Sequence, residues 1–324
     1  MRPDAPPTLA DAGASHLFWN AQGLWRQIEP YLPGVSVEVL AHAESTNSLL
    51  LERARRGAGR AEGGFTAPGG FDDLRARGTR GDDEPFGRRA ADAHACLLVA
   101  EHQTLGRGRL GRSWMSVPGA SLTFSLGVPM APRDWWGLSL AAGVALADAL
   151  DPREPGVPPR VGLKWPNDLW LIDAPGRGRK LGGILIETVA VRAARMVVVG
   201  VGLNIAALPA ATGAARDLTH GFACLQEIDP AATAPAALHR VALPLVRALQ
   251  QFEREGFAGF VHPYAQRDLL AGQRVSVLDP ARGDAVAEGR CEGVAANGAL
   301  LVRRDDGSVL PVTSGEVSVR LDSH

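Results

Sequence analysis

Lysine is all but missing from this 324-residue chain. Of its 34 basic residues 32 are Arg, and only Lys164 and Lys180 carry an ammonium. Arg and Lys are not interchangeable where one compact charge must reach one point, so a chain that uses Arg elsewhere marks these two positions. Asparagine is scarce as well, with five in all: Asn20, Asn47, Asn167, Asn204 and Asn297. The three cysteines, Cys96, Cys224 and Cys291, lie far apart with no CxxC pair, which argues against a disulfide framework and a thiolate zinc site. No apolar run approaches the ~18 residues of a membrane span. The first thirty residues hold Pro3, Asp4, Pro6, Pro7 and Asp11 and no apolar core stretch, which excludes a secretory leader. Basic and acidic residues number 34 and 35, so no global field draws the chain to DNA or anionic lipid. Together these absences predict a soluble cytoplasmic protein.

What is present suits a globular chain of two or three domains with a sizeable core: 46% of residues are apolar and 21% charged. Residues 1–15 read as a flexible tail. A helix is expected over 16–31, with Phe18, Leu24, Trp25 and Ile28 as its stripe. Val35, Val37 and Val39 alternate with Ser36 and Glu38 as in a half-buried strand. A helix over 46–56, capped by Ser45 or Thr46, follows. Residues 57–93 then break the pattern, with nine Gly, thirteen charged residues and four large apolar ones. That composition cannot bury enough surface to fold, so the stretch is expected to be a disordered insertion. Its six Arg face seven acids, which favours a solvated loop over a nucleic-acid contact.

Beyond it, strands are expected at 95–101, 121–128, 160–165, 169–172, 181–189 and 196–205, with loops at 103–114 and 173–179. Helices are expected at 134–150, 215–228, 234–254 and 256–270. From 272 the pattern turns to short strands with polar turns. Asn297-Gly298 there is a strong hairpin cue, and the tail reads as a small β-barrel of roughly fifty residues.

Five segments carry chemistry. Gln103–Trp114 follows a buried strand; Gly106, Gly108 and Gly111 let backbone N–H groups approach an anion, and Arg107, Arg109 and Arg112 offer guanidinium forks. Trp114 adds a flat face for a ring. The segment lacks the Lys of a P-loop and the helix of a dinucleotide fingerprint. Lys164-Trp165-Pro166-Asn167-Asp168 sets an ammonium, an amide and a carboxylate on one corner whose direction Pro166 fixes. Lys180–Glu187 opens a strand with an ammonium followed by Gly182 and Gly183, and Gly200–Asn204 repeats the glycine pattern. Glycine weakens a strand unless a ligand or another backbone comes close. Ser45-Thr46-Asn47 stands at a strand-to-helix junction, where alone it would be a plain helix cap. Together these groups suit an acidic substrate and a nucleotide. No Ser-His-Asp set and no metal-ligand cluster is apparent, so no fixed metal site is expected.

In this order the five segments resemble the bacterial biotin protein ligases, whose pattern is STN, GRGRxGRxW, KWPND, KxGGILxE and GxGxN. The likeness runs over roughly 35–322, apart from 57–93. It implies an α+β fold: a mixed β-sheet catalytic domain of the class II aminoacyl-tRNA synthetase and biotin ligase type, with helices on one side, followed by a small SH3-like β-barrel. The domains implied are 16–270 and 271–324. The implied reaction has two steps. Biotin's carboxylate attacks the α-phosphate of MgATP to give biotinyl-5′-adenylate, and a lysine of a biotin carboxyl carrier protein then takes the biotinyl group and releases AMP.

By the same resemblance, biotin would meet Ser45, Thr46, Asn47, Gln103, Arg107, Gly108, Arg109, Lys180, Gly182 and Gly183. ATP or the adenylate would meet Arg107, Arg109, Arg112, Trp114, Asn167, Lys180 and Asn204. Lys180, Arg109, Lys164 and Asp168 would carry the chemistry, with Asp168 orienting the incoming lysine. Some family members repress genes through an N-terminal winged helix. Only 44 residues precede Ser45, with one convincing helix, so no DNA partner is expected; a homodimer is left open. A lipoate ligase or octanoyltransferase shares the fold but would lack the GRGRxGRxW loop and the KWPND corner.

Overall fold

The computed structural model describes residues 17–60, 94–191, 194–208, 221–279, 284–313 and 318–321. Seven strands form one sheet: β1 (Ser36–Ala43), β2 (Cys96–Gln103), β3 (Ser121–Met130), β4 (Val161–Lys164), β5 (Asp168–Ala174), β6 (Arg177–Val191) and β7 (Ala194–Asn204), in the order β1-β2-β3-β7-β6-β5-β4. β1 and β2 run parallel and every other neighbouring pair is antiparallel, so the sheet is mixed. The expected loop at 173–179 is a tight β5–β6 turn at Gly176, and β6 already begins at Arg177.

Period-two alternation decides which face each strand buries. On β2, Leu97 and Val99 enter the main core, whereas Cys96 and Leu98 face a second cluster. On β7, Val197, Val199, Val201 and Leu203 enter the main core, and Met196 and Val198 the second. The main core is covered by α1 (Ala21–Ile28), α3 (Leu138–Leu150) and α4 (Ala234–Glu255). The second cluster is covered by Leu50, Leu51 and Ala54 of α2 (Thr46–Arg60). Helices therefore lie on both faces, a correction to the one-sided packing expected.

Local sequence accounts for the helix ends. Asn20 caps α1 by accepting from Gly23 N–H at 3.2 Å, and Thr233 caps α4 by accepting from Ala236 N–H at 3.3 Å. α4 stops at Gly256, whose φ of 68° ends it without strain. Two other helices differ from expectation. Over 215–228 the described part is a single 3-10 turn at Leu225–Glu227, and 256–270 holds α5 (Val261–Ala265) after a 3-10 turn at Ala258–Phe260. The second segment ends its short helix before Arg267, which turns inward instead of continuing a polar face. α2 runs on to Arg60, four residues into the stretch expected as an insertion, and the rest of that stretch, 61–93, lies outside the described residues. Residues 1–15 lie outside them also.

A second sheet, antiparallel and five-stranded, closes the chain: β8 (Arg274–Leu278), β9 (Ala285–Val294), β10 (Leu300–Arg303), β11 (Val309–Val312) and β12 (Ser318–Leu321), in the order β11-β10-β9-β8-β12. The turn between β9 and β10 is at Asn297-Gly298, where Gly298 takes φ 80°. The arrangement is that of an SH3-like unit, and the fold as a whole is α+β. Val275, Val277, Cys291, Leu300 and Val302 belong to the same core cluster as the large sheet. Among the described residues no helix is long and apolar enough to cross a membrane.

Polar groups buried between the two sheets are unequally satisfied. Arg267, 1% exposed, donates to Asp148 at 2.7 Å, to Asp151 at 3.2 Å and to the Val161 carbonyl at 2.8 Å. Burial pushes the Asp151 carboxyl up, but the Val161 and Arg160 N–H groups and Arg267 outweigh it and leave its pKa below the ordinary value. Asp268 has less help. Its Oδ1 accepts from Leu270 N–H at 2.9 Å, while its buried Oδ2 has no partner among the described residues. Burial raises its pKa to about 6.

The folded protein thus keeps the Asp268 proton to higher pH than the unfolded chain does, so stability falls as pH rises from about 4 to about 6. Two pKa units correspond to roughly 2–3 kcal/mol. Asp268→Asn keeps the Oδ1 acceptor and removes the charge. The variant is expected to be more stable than the parent in urea at neutral pH, by up to about that amount, and to lose the advantage near pH 4. A difference that stays constant across the range would show that Asp268 is not the group responsible.

Candidate active site

The alternation that fills the core also empties one patch of the opposite face. Continuing from Met196 and Val198, Gly200 and Gly202 of β7 fall on the α2 side, beside Ser125 of β3. A pocket opens over this strip. It is bounded by the start of α2, the loop after β2, the β4–β5 corner and the first residues of β6.

The floor is a tight polar network. Ser45 accepts from Ser48 N–H at 3.4 Å and so caps α2. Gln103 Oε1 accepts from Thr46 N–H at 2.7 Å and lies 3.1 Å from Thr46 Oγ1. Ser125 Oγ is 2.6 Å from both Thr46 Oγ1 and Asn47 Oδ1. Asn47 Nδ2 donates to the Leu185 carbonyl at 3.1 Å and to Glu187 Oε2 at 3.0 Å. Ser45, Thr46, Asn47 and Ser125 are all buried. A Cβ on Gly200 would overlap the Asn47 amide, so the glycine is required by this close approach.

The Gly106–Trp114 loop folds over the pocket as a small hairpin. Trp114 N–H donates to the Gly106 carbonyl at 2.8 Å and Gly108 N–H to the Arg112 carbonyl at 2.7 Å. Its tip carries Leu110 at φ 58° and Gly111 at φ 73°; the leucine holds a left-handed conformation that costs a non-glycine residue about 1 kcal/mol. The loop is fastened at two places. Arg107 Nη2 pairs with Glu187 Oε1 at 3.0 Å, and Arg109 Nη1 donates to Asn167 Oδ1 at 3.1 Å. Burial lowers the Arg109 pKa, with Asp168 opposing and Arg112 adding to the effect. The guanidinium stays charged at neutral pH. The Trp114 indole occupies the space that a side chain at 202 would need, and its Nε1 is buried with no hydrogen-bond partner among the described residues.

The corner brings both lysines to one place. Lys164 and Asp168 face each other across the β4–β5 hairpin, whose turn contains the cis Trp165–Pro166 peptide. Lys164 is 6% exposed and its Nζ sits 4.4 Å from the Trp170 ring centroid, a cation–π contact. Lys180 Nζ is 2.8 Å from Asp168 Oδ1. Asn167 Nδ2 donates to the Ile184 carbonyl at 2.8 Å, and Ile184 N–H returns to the Asn167 carbonyl at 2.9 Å, fixing the amide under Arg109. Trp165 Nε1 donates to the Gly298 carbonyl at 3.1 Å, so the second sheet supports the corner from behind.

Of the residues expected at the site, Ser45, Thr46, Asn47, Gln103, Arg107, Gly108, Arg109, Arg112, Trp114, Lys164, Asn167, Asp168, Lys180 and Gly183 line the pocket. Gly182 and Asn204 do not. A Cβ on Gly182 would run into the Leu203 side chain and the Gly202 carbonyl, so this glycine serves strand packing. Asn204 Nδ2 donates to the Lys180 and Ala223 carbonyls at 3.2 and 3.0 Å, tying β7 to the start of β6. Arg107 turns its guanidinium to Glu187 and Ser48. Sequence reasoning passed over Ser125, although alternation in Ser121–Val128 places Ser121, Thr123 and Ser125 on the face opposite Leu122, Phe124 and Leu126. Among the described residues no three His, Cys, Asp or Glu side chains gather as a metal site.

The pattern of the Biotin/lipoate A/B protein ligase family matches residues 92–204, and that of the Biotin protein ligase C terminal domain matches 271–320. The biotin–[acetyl-CoA-carboxylase] ligase of Mycobacterium tuberculosis is 37% identical over 298 residues, which cover 88% of this chain and 86% of the relative. The chain belongs to the biotin protein ligase family. The bifunctional ligase/repressor BirA of Escherichia coli is 32% identical over 91% of this chain and 77% of its own length. Among solved structures, a biotin protein ligase from Aquifex aeolicus in complex with biotin and ATP matches with a TM-score of 0.61 at 24% identity. It covers 89% of this chain and 99% of its own, and it has the same fold.

The contact between Gly202 and Trp114 is open to test. Gly202→Ala forces the indole to move and is expected to cost roughly 1–3 kcal/mol of stability in urea. Trp114→Ala introduced into the same chain should recover most of that loss. No recovery would place the strain elsewhere on β7.

Proposed function

We propose that this pocket activates biotin with ATP and passes it to a lysine of a carrier domain of a biotin-dependent carboxylase. The observation that carries the reading is the convergence of Lys180, Lys164 and Arg109 at one end of a pocket whose other end is a neutral polar floor. A substrate that suits both ends has an anionic tail and an uncharged head that donates and accepts hydrogen bonds. Biotin's valerate and ureido ring are of that kind. The dithiolane of lipoate offers no comparable partners to Gln103, Thr46 and Ser125.

In the first step a biotin carboxylate oxygen bonds to the α-phosphorus of MgATP and pyrophosphate leaves, magnesium arriving with the triphosphate. Negative charge is spread over the phosphoryl oxygens, and Lys180 and Arg109 are placed to stabilise it. The exposed face of the Trp114 indole would meet the adenine. In the second step the neutral amine of the acceptor lysine attacks the acyl carbon, AMP leaves, and the amine gives up a proton. Asp168 is the carboxylate nearest that point and would steer the ammonium before it loses its proton. Its pairing with Lys180 at 2.8 Å means that the incoming anion shares Lys180 with it. The carrier domain, the cytoplasmic setting and a division of the chain near residue 271 belong to the same proposal. Self-association is left open.

Lys180→Ala is expected to lower biotin-dependent pyrophosphate exchange by ~10²–10³, the usual cost of a lost charge-stabilising donor. Lys180→Arg should rescue poorly, since a planar fork does not fit where an ammonium sits against Asp168. Asp168→Asn keeps an acceptor for Lys180, so exchange should stay within about tenfold of the parent while transfer from supplied biotinyl-adenylate slows further. Near-normal exchange in Lys180→Arg, or equal losses in both steps for Asp168→Asn, would overturn these roles.

The loop supplies a second check. Gly108 N–H is already bonded within the loop, but the loop is held less firmly while the pocket is empty, so hydrogen exchange across 104–113 should slow on adding biotin and ATP. Unchanged exchange would mean that the loop does not close on substrate.

A further inference from the structure

We propose that Glu187 is a positioning residue that latches the Gly106–Trp114 loop to the floor of the pocket. The inference rests on the ligase reading for its consequence, though not for its geometry. Glu187 stands on β6 beyond the glycines, and each of its carboxylate oxygens is committed to a different part of the site. Oε1 pairs with Arg107 Nη2 of the loop at 3.0 Å, and Oε2 accepts from Asn47 Nδ2 of the floor at 3.0 Å. Arg107 Nη1 adds contacts at 3.5 Å to Glu187 Oε2 and at 3.3 Å to Ser48 Oγ, on the first turn of α2. One carboxylate thus joins the loop, the sheet and α2.

The Asn47 end of this chain cannot easily give way. Its Nδ2 hydrogens go to Leu185 and Glu187 and its Oδ1 lies against Ser125, so the amide is held on three sides and Glu187 is held with it. The Arg107 end can give way. Its side chain is 49% exposed and that of Glu187 23%, which makes the pair a screened, reversible contact and not a fixed buried one. A loop that must open to admit biotin and close over an activated acid needs a fastening of this strength. Paired with Glu187, the Arg107 guanidinium is turned toward β6 and α2, whereas Arg109, Lys164 and Lys180 stand at the corner.

The test uses the full chain and the variants Glu187→Gln, Arg107→Gln and the double variant. Glu187→Gln keeps the shape and an acceptor for Asn47 while removing the charge. In the ligand-free protein, hydrogen exchange across 104–113 should rise about two- to fivefold in each single variant, the size expected of a half-exposed ion pair. The double variant should rise no further, because both changes break one contact. Raising the salt to about 1 M, where the Debye length falls to ~3 Å, should speed exchange in the parent and leave the variants unchanged. Biotinyl-adenylate formed by the variants should dissociate faster by a similar factor.

Unaltered loop exchange in both single variants would overturn the latch. So would effects that add in the double variant, or a salt response that persists without the pair. Should Glu187→Gln fail to fold, the Arg107→Gln arm decides alone, since that side chain lies on the loop surface. A parent protein that forms no biotinyl-adenylate would remove the ligase reading while the ligand-free exchange still reports on the latch.

Discussion

At Gly200 and Gly202 the face of β7 that should bear two side chains bears none, and the Asn47 amide and the Trp114 indole lie in the space so left. A methyl group at either position would displace one of them. The glycines cost the strand some stability, yet the sheet can carry them because β7 is its central strand, paired with β3 on one side and β6 on the other. The other face of the same strand is a run of Val and Leu in the main core. One strand therefore anchors the fold with its odd positions and makes room for a ligand with its even ones. The walls follow from that constraint: α2 can bring Thr46 and Asn47 down onto the sheet, and the loop after β2 can lay its tryptophan flat.

Charge is arranged with the same separation. The floor is neutral, built from hydroxyls and amides that satisfy one another, whereas the cations stand at the far end around the β4–β5 corner. Each of these cations already has a local partner: Lys180 has Asp168, Arg109 has Asn167 and Lys164 has the face of Trp170. Only Asp168 among these partners is charged, so the empty corner keeps net positive charge for an anion, while the Asn167 amide and the Trp170 face partly offset the cost of burying Arg109 and Lys164. Such pairing also leaves donors to share, since an ammonium has three hydrogens and a guanidinium five. An arriving carboxylate or phosphate is bound by sharing these groups, and no cation need be stripped of its partner.

Much of this was legible in the sequence because the site is made of local segments. Two lysines among 34 basic residues pointed to the corner and to the start of β6, and both line one pocket in the structure. The glycine pattern was legible as close approach but not as to what approaches: Gly202 meets an indole, Gly200 an amide, and Gly182 its own neighbouring strand. Asn204 drew attention through rarity, and its amide serves backbone carbonyls. What stayed illegible depends on contacts far apart in the chain. Ser125 and Glu187 are ordinary strand residues until the sheet order brings β3 and β6 beside α2. The described end of the helix expected at 215–228 is a single 3-10 turn and the helix expected at 256–270 is shortened to Val261–Ala265 for a related reason, as apolar residues there answer to tertiary packing and not to a helical period. Arg267, which periodicity would have left in solvent, is buried among two aspartates and a carbonyl.

The second sheet has a mechanical part in this arrangement. The corner bearing Lys164, Asn167 and Asp168 is a two-stranded hairpin at the edge of the large sheet, and an isolated hairpin of that kind is marginal in water. It is supported from three directions. Leu163 N–H donates to the Arg267 carbonyl at 2.7 Å, and Leu269 N–H to the Leu163 carbonyl at 3.0 Å, which extends the edge by one more length of chain. Ser139 Oγ donates to the Pro166 carbonyl at 2.9 Å from the start of α3. Trp165 passes beneath and bonds the Gly298 carbonyl in the β9–β10 turn, and that glycine packs against Gly137 just before α3. The turn of the second sheet, the first residue of a core helix and the corner therefore meet at one point. Displacing the second sheet would loosen the edge on which Lys164, Asn167 and Asp168 are held. In this chain the second sheet is part of the scaffold of the site, although none of its described residues lines the pocket.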